Sequence, residues 1–312
     1  MDALSQLLSL SRMSVQMDVH CLLAGKYAVA HETSAPGEAP FHLVLAGKCR
    51  VRSVTGWTDL NAGDFLLLPH GDAHDVLPPR SVQSKTSRPV HRLRLSQDST
   101  LPIKGNVRSP SNADLDLLCG RFICAYGAGS MLLRALPPRV HVNLQDMASG
   151  ELLGSLIALL QREATLAQAG ALAVVNALGQ AILTFALRHH GVDGSAPPGL
   201  LTIMADRRLG SSVSAVLQDS SRDWTIASLG EKVSMSRATY ARQFRAKAGM
   251  AVGEFLLTVR MMRACDLIQH TDRGLAEIGQ AVGYASEAAF GKAFQKIVGE
   301  TPGRWRRKQK SV

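Results

Sequence analysis

The chain has 312 residues, 46% of them hydrophobic and 19% charged, with a formal net charge of +10. That length leaves room for two domains, each with its own core, and the apolar share is that of a soluble globular chain. No apolar run reaches the roughly 18 to 20 residues that a membrane span needs. Met1-Asp2-Ala3-Leu4-Ser5 lacks the basic and apolar regions of an export signal, so a cytoplasmic chain with no membrane partner is expected. The charge is uneven: from residue 204 onward 18 Lys and Arg face 10 Asp and Glu, a net of +8, whereas residues 1–203 carry 17 against 15, a net of +2. A basic region beside a near-neutral one predicts a polyanion partner for the former. Cys21, Cys49, Cys119, Cys124 and Cys265 form no CxxC pair, and their odd number and irregular spacing speak against a secreted disulfide framework.

Residues 1–15 read as a short amphipathic helix with Leu4, Leu7, Leu8 and Leu10 apolar. Residues 20–145 are strand-rich by pattern. Short apolar runs (Leu43-Val44-Leu45, Phe65 to Leu68, Leu93-Arg94-Leu95, Arg121 to Cys124) alternate with Gly, Pro, Asp and Ser clusters. Between Pro78 and Ser111 the composition is polar and rich in Pro and Ser, which predicts a long loop. Gly63-Asp64-Phe65-Leu66-Leu67-Leu68-Pro69-His70-Gly71-Asp72-Ala73-His74 carries a turn, an apolar strand, a Pro-x-Gly turn and a histidine opening the next strand.

That spacing resembles the second motif of cupin β-barrels, whose final His often binds metal. Phe41-His42-Leu43-Val44-Leu45-Ala46-Gly47 resembles the strand and turn of the first motif. The usual His-x-His followed by Glu is absent, so a three-His-one-Glu site is not expected and oxygenase activity is disfavoured. His42 and His74 remain candidate ligands for Zn²⁺, alongside the reading that they only hydrogen-bond within the barrel. His70 is placed in an exposed turn, and His20 and His31 carry little metal-binding weight.

Residues 147–190 turn to helix-forming Ala, Leu and Gln. One apolar face is offered by Leu152, Leu153, Leu156, Ile157 and Leu160, and another by Ala171, Val174, Val175, Leu178, Ile182, Phe185 and Ala186. A helical hairpin follows, serving as core packing or as a homodimer surface. His189 to Gly199 reads as a linker after a long helix. The resulting division is a sensory domain over 1–195, a linker over 196–203 and a basic helical domain over 204–312.

The last hundred residues contain one thirty-residue unit twice. Ala227/Ala276, Gly230/Gly279 and Val233/Val282 match at an offset of 49; Ser236/Ser286, Ala238/Ala288, Phe244/Phe294 and Gly249/Gly299 match at 50. Each unit reads as short helix, tight turn, second helix. In the first, Asp223 is the expected N-cap, Ile226, Leu229 and Val233 pack, and Ser234-Met235 turns. Tyr240 and Phe244 then face inward at i, i+4. In the second, Ile278, Val282, Tyr284, Phe290 and Phe294 pack. Phe255 to Ile268 reads as one long helix joining the units. Arg237, Thr239, Glu287 and Ala288 are left outward for base contact, where Arg or Gln can read major-groove edges. Arg242, Gln243, Arg245, Lys247, Lys292, Lys296 and Arg304 join them on the DNA-facing side, mainly toward phosphates.

Residues 204–307 resemble the AraC/XylS family of transcription regulators, most specifically along Gly283-Tyr284-Ala285-Ser286-Glu287-Ala288-Ala289-Phe290 through Phe294 and Gly299 to Thr301-Pro302-Gly303-Arg304-Trp305-Arg306. The resemblance implies binding to double-stranded promoter DNA, usually with activation through RNA polymerase. Residues 2–145 resemble the cupin-type sensory domain of one branch of that family, through Asp2 to Leu8, Gly63 to His74, Cys119-Gly120-Arg121-Phe122 and Leu136 to Val142. Some members of this branch respond to reactive chlorine or other oxidants through cysteines. Cys21 and Cys119 fall where such members carry their reactive thiols. The expected fold class is therefore multidomain β + α: an N-terminal cupin-like β-barrel with a helical hairpin and a C-terminal all-α domain of two helix-turn-helix units. Oxidant sensing and small-molecule binding in the barrel both stand as inputs, beside a purely structural barrel with no input. The expectation is a regulator and not an enzyme, against the alternative of a metal-binding cupin enzyme fused to a DNA-binding module.

Overall fold

The computed structural model describes residues 2–80, 94–96, 100–124, 127–145, 150–165, 168–194 and 196–310. Helix α1 spans Ala3–Ser11, started by Asp2, whose carboxylate accepts the Ser5 N–H. It is shorter than the 1–15 expected, because Arg12 turns into the left-handed region and strand β1 (Ser14–Leu23) begins at once. Then come β2 (Val29–His31), β3 (Glu38–Ser53), β4 (Gly56–Asn61), β5 (Asp64–Leu67), β6 (His74–Leu77), β7 (Arg94–Ser96), β8 (Ile103–Gly105) and β9 (Leu115–Ile123). Of the expected loop over 78–111, residues 81–93 and 97–99 lie outside the described residues, while 94–96 and 103–105 are strands. Helix α2 (Ala128–Ala135) interrupts the stretch read as strands, and β10 (Val140–Asn143) closes it.

These strands form one curled ten-stranded sheet, the cupin-like half-barrel. Its main path runs β10-β5-β3-β9-β1-β8-β7, with β4 and β6 on the far half of β3 and β2 beside β6. The curl follows from β3. Its first half pairs with β5 and β9 and its second half with β4 and β6. Side-chain alternation then sorts the faces. Cys21, Leu23, Val29, Val44, Val51, Leu66, Val76, Leu117 and Cys119 fill the interior cluster. Phe41, Phe65 and Phe122 form a separate buried aromatic group.

Helices α3 (Gly150–Thr165) and α4 (Ala171–Val192) occupy the stretch read as helical; the Leu152 side chain lies outside the described residues. Asn176 of α4 accepts the Met17 N–H, and Gln161 of α3 donates to Asp116. Helix α4 is long and apolar enough to cross a membrane by length and composition, with mean hydropathy 1.5 over its best window and 39% of that window buried. The sequence reading of no such run was therefore too strict. α4 also carries through His189-His190-Gly191, so those residues are helical rather than linker.

Helix α5 (Leu200–Ala205) takes residues 200–203 out of the expected linker 196–203, because Leu200, Leu201 and Ile203 are buried apolar anchors. Ser195 lies outside the described residues. The remaining helices are α6 (Leu209–Gln218), α7 (Ile226–Lys232), α8 (Arg237–Ala248), α9 (Val252–His270), α10 (Leu275–Ala281), α11 (Glu287–Val298) and α12 (Pro302–Lys310).

The chain divides into two compact units that do not follow a sequential boundary. Ser14–Ile123 and Pro137–His190 form one; Met1–Met13, Cys124–Leu136 and Gly191–Val312 form the other. Helices α1 and α2, expected within the 1–195 domain, thus belong with the helix-turn-helix units. The physical reason is apolar burial: α1 packs on α6 and α9, and α2 on α9, with Leu7, Met131 and Leu132 buried.

Candidate functional sites in the sheet and in the helical unit

Within the helical unit, the first helix-turn-helix is α7, the turn at Val233–Met235, and α8. Its N-cap is Thr225 rather than Asp223. The Thr225 hydroxyl accepts the Ser228 N–H and the Ser228 hydroxyl accepts the Thr225 N–H, each at 3.0 Å, a reciprocal pair that Asp223 has no partner to form. Ser236 caps α8, and Ser286 caps α11 in the same way. Tyr240, Phe244, Phe290 and Phe294 are buried as expected, and the Tyr240 hydroxyl meets Ser212 Oγ at 2.9 Å. A Cβ on Gly230 would stand 2.8 Å from the Met235 carbonyl oxygen, so the turn folds too closely over α7 for any larger residue. Arg260 of α9 bridges the two helix-turn-helix units. Its Nε donates to Ser220 O and its Nη2 to Arg222 O, ahead of α7, and its guanidinium lies 5.7 Å from the Tyr284 ring.

Arg237, Arg242, Arg245, Lys247, Glu287, Ala288, Lys292, Lys296 and Arg304 are all exposed, while Thr239 and Gln243 are half-buried. Thr239 is engaged locally: its Oγ1 accepts from Ser236 Oγ at 3.0 Å. Lys247 lies 3.6 Å from Asp206 and Arg304 3.7 Å from Glu300, contacts that solvent screens and a phosphate could replace.

Inside the sheet unit, the register of β1 on β9 pairs Val19 with Cys119 and Cys21 with Leu117. The two cysteines are therefore diagonal neighbours on one face, and their Sγ atoms stand 4.0 Å apart, both buried. A hydrogen bond from Cys119 holds the Cys21 thiol below its ordinary pKa; the same contact, with burial, raises Cys119. Burial pushes the Cys49, Cys124 and Cys265 thiols up to about 12. Among the five, Cys21 is thus the one whose neighbour makes its thiol easier to ionise. Cys124 lies past the end of β9 and does not share its face with Cys119.

His42 pairs with Cys119 across β3 and β9, and its Nδ1 is 3.2 Å from Cys119 Sγ. Its Nε2 is 2.7 Å from Nε2 of His74, whose Nδ1 is 2.9 Å from Asp72 O. His31, given little weight from sequence, faces His74 across β2 and β6 and stacks on it at 4.5 Å. Burial lowers the pKa of all three imidazoles, with His31 pushed down to about 4, so all three are neutral near pH 7. His20 stands elsewhere, bonded to the buried Asp116 at 2.6 Å, and His70 is exposed.

Comparison with known proteins places these features together. A cupin family model matches residues 2–191 and a helix-turn-helix domain model matches residues 229–308. The chain is similar to the HTH-type transcriptional regulator MtrA of Neisseria gonorrhoeae, 30% identical over 315 residues and covering 98% of each chain. It is also similar to the RCS-specific HTH-type transcriptional activator RclR of Escherichia coli (strain K12), 26% identical over 313 residues, covering 100% of this chain and 99% of that one. Among solved structures, the DNA-binding domain of AdpA in complex with a target DNA matches 34% of this chain and 96% of its own, at 25% identity and TM-score 0.33.

Proposed function

The chain belongs to the AraC-type helix-turn-helix transcription regulators that carry an N-terminal cupin domain, and from this premise we propose that its sheet senses oxidants through Cys21 and Cys119 and thereby controls promoter activation. DNA binding resides in the paired helix-turn-helix units. The observation that carries the oxidant reading is the 4.0 Å separation of two buried thiols on adjacent strands.

The chemistry balances with hypochlorous acid as oxidant. Cys21 Sγ attacks the chlorine, an S–Cl bond forms, the O–Cl bond breaks, and hydroxide leaves with the thiol proton as water. Cys119 Sγ then displaces chloride and loses its proton as the S–S bond closes. Diagonal strand neighbours have Cα atoms about 7–8 Å apart, whereas a disulfide holds them within about 6.8 Å. Closing the bond therefore shifts β1 against β9. β1 follows α1 and β9 leads into α2, and α1 and α2 both pack on α9, the helix between the two readers. The bond thus favours one arrangement of the reader connections over another, which is what a signal must do to act.

Arg237 and Thr239 of α8 and Glu287 and Ala288 of α11 contact base edges, with Gln243 farther along α8 on the DNA-facing side. Arg242, Arg245, Lys247, Lys292, Lys296 and Arg304 grip phosphates. RNA polymerase is the partner in activation. A homodimer forms through α3 and α4, where Leu159, Leu172 and Val174 are exposed apolar side chains.

The test is promoter output and binding to the chain's own upstream DNA, with and without hypochlorous acid, in wild type, Cys21→Ala and Cys119→Ala. An oxidant response in wild type that is lost in both variants, with DNA binding retained, is expected. No response in wild type while DNA binding persists would sink the oxidant reading.

A further inference from the structure

The sheet holds a second chemical feature that thiol sensing does not use. His31, His42 and His74 come from β2, β3 and β6, and their ligand-capable nitrogens all lie within 4.8 Å of one another. Rings of His31 and His74 stack, and the His42 ring stands edge-on to both at 5.1 and 4.9 Å.

The hydrogen bonds show which nitrogens a ligand could share. His74 Nδ1 faces the Asp72 carbonyl oxygen, so it carries the ring proton and leaves Nε2 as a lone pair. That lone pair lies 2.7 Å from His42 Nε2. Without a metal the contact is an N–H···N hydrogen bond, His42 Nε2–H donating while its Nδ1 accepts from the Cys119 thiol; a cation between the two nitrogens would take the place of that proton. His31 Nδ1 is buried and makes no hydrogen bond of good geometry, the Val29 backbone being the polar group beside its ring. Three ligand-capable imidazole nitrogens that converge inside the sheet are a set one metal ion can join.

We propose that His31, His42 and His74 form a three-imidazole site for a late first-row transition ion, Zn²⁺ or Cu⁺. The donor set selects the class. The cluster contains three nitrogens and no carboxylate, which disfavours Ca²⁺ and Mg²⁺ and suits zinc or copper. Tetrahedral zinc with Zn–N near 2.0–2.1 Å sets its nitrogens about 3.4 Å apart. The His42–His74 pair opens slightly and His31 closes slightly to meet that spacing, which are side-chain adjustments. This set differs from the three-His-one-Glu pattern: His31 lies outside both motif segments, and only the pairing of β2 with β6 brings it in. The site stands whether or not the neighbouring thiols respond to oxidants.

The experiment strips the purified full-length chain with a chelator. Zn²⁺ and, anaerobically, Cu⁺ are then added separately against a competing chromogenic chelator, and bound metal is counted per chain. One ion per chain is expected. His31→Gln, His42→Gln and His74→Gln should each weaken retention by at least about 100-fold, the upper end of what loss of an outer-shell partner costs. His70→Gln, at an exposed position, should leave it unchanged. His31→Gln is the discriminating variant, since a two-histidine site would not respond to it and its half-buried place makes misfolding least damaging. Thermal midpoints of the metal-free variants check folding. Intense visible absorption of the Co²⁺-loaded wild type gives an independent report of tetrahedral nitrogen ligation. Retention of either ion with loss in all three triad variants supports the site and identifies its metal. Retention of neither ion by wild type, or wild-type retention by His31→Gln, overturns it.

Discussion

The two helix-turn-helix units share a plan and differ at three kinds of position. At the left-handed turn residue the first uses Ser234 at φ 55° and the second Gly283 at φ 87°. At the first inward aromatic the first has Tyr240, bonded to Ser212 of α6, and the second has Phe290 with no hydroxyl to satisfy. On the exposed face, α8 presents Arg237, Arg242, Arg245 and Lys247, whereas α11 opens with Glu287 and carries Lys292 and Lys296. The lesson is that buried positions hold the scaffold constant while exposed ones change the reading. The first unit carries the denser positive face for phosphates, and the second offers a carboxylate that can accept from a cytosine amine.

Six substitutions sharpen that comparison. Phe244→Ala and Phe290→Ala each remove a fully buried ring and should cost about 3–5 kcal/mol in chemical denaturation. Because α9 packs on α8, α10 and α11, either change should weaken promoter binding through both units; a variant that kept the other unit's footprint intact would break the account of a joined pair. Arg237→Ala should cost about 1–3 kcal/mol of promoter affinity and relax preference at one base position. A footprinting and site-selection assay checks this, and an equal loss on every sequence would reassign Arg237 to phosphate. Gly283→Ala meets both a positive φ and the Ser221 carbonyl oxygen, 2.6 Å from an added Cβ, and should lower stability by about 1–2 kcal/mol. Ser234→Gly, at the matching turn, should instead be neutral or slightly stabilising. Tyr240→Phe should cost about 1 kcal/mol, the value of one buried neutral hydrogen bond, with no counterpart in the second unit.

The helical unit was the more legible half. Its elements are local, and the repeat offset of 49 to 50 aligned inward aromatics and capping serines directly. Where the reading slipped there, the cause was a side-chain partnership: Thr225 wins the cap because Ser228 reciprocates. Helix α2 was missed because it is eight residues long and sits between strands. The sheet site was less legible because pairing over long sequence separations builds it. His31 meets His74 only through the β2–β6 register, and Cys21 reaches Cys119 across 98 positions. A signal for His31 was present in alternation, since Val29 is a core residue and His31 shares its face two positions on. The motif centred on Gly63 to His74 found His74 but supplied no reason to look back to position 31.

The central claim is that Cys21 and Cys119 are the reactive pair, and differential alkylation with peptide mass mapping tests it most directly. Purified full-length chain is treated with one equivalent of hypochlorous acid, and free and oxidised thiols are labelled in turn. The account predicts a Cys21–Cys119 linked peptide, because Cys119 stands 4.0 Å away and holds the Cys21 thiol below its ordinary pKa, with Cys49, Cys124 and Cys265, whose thiols burial raises, remaining reduced. Oxidation that falls first on any of those three, or that leaves Cys21 and Cys119 both free, would contradict it.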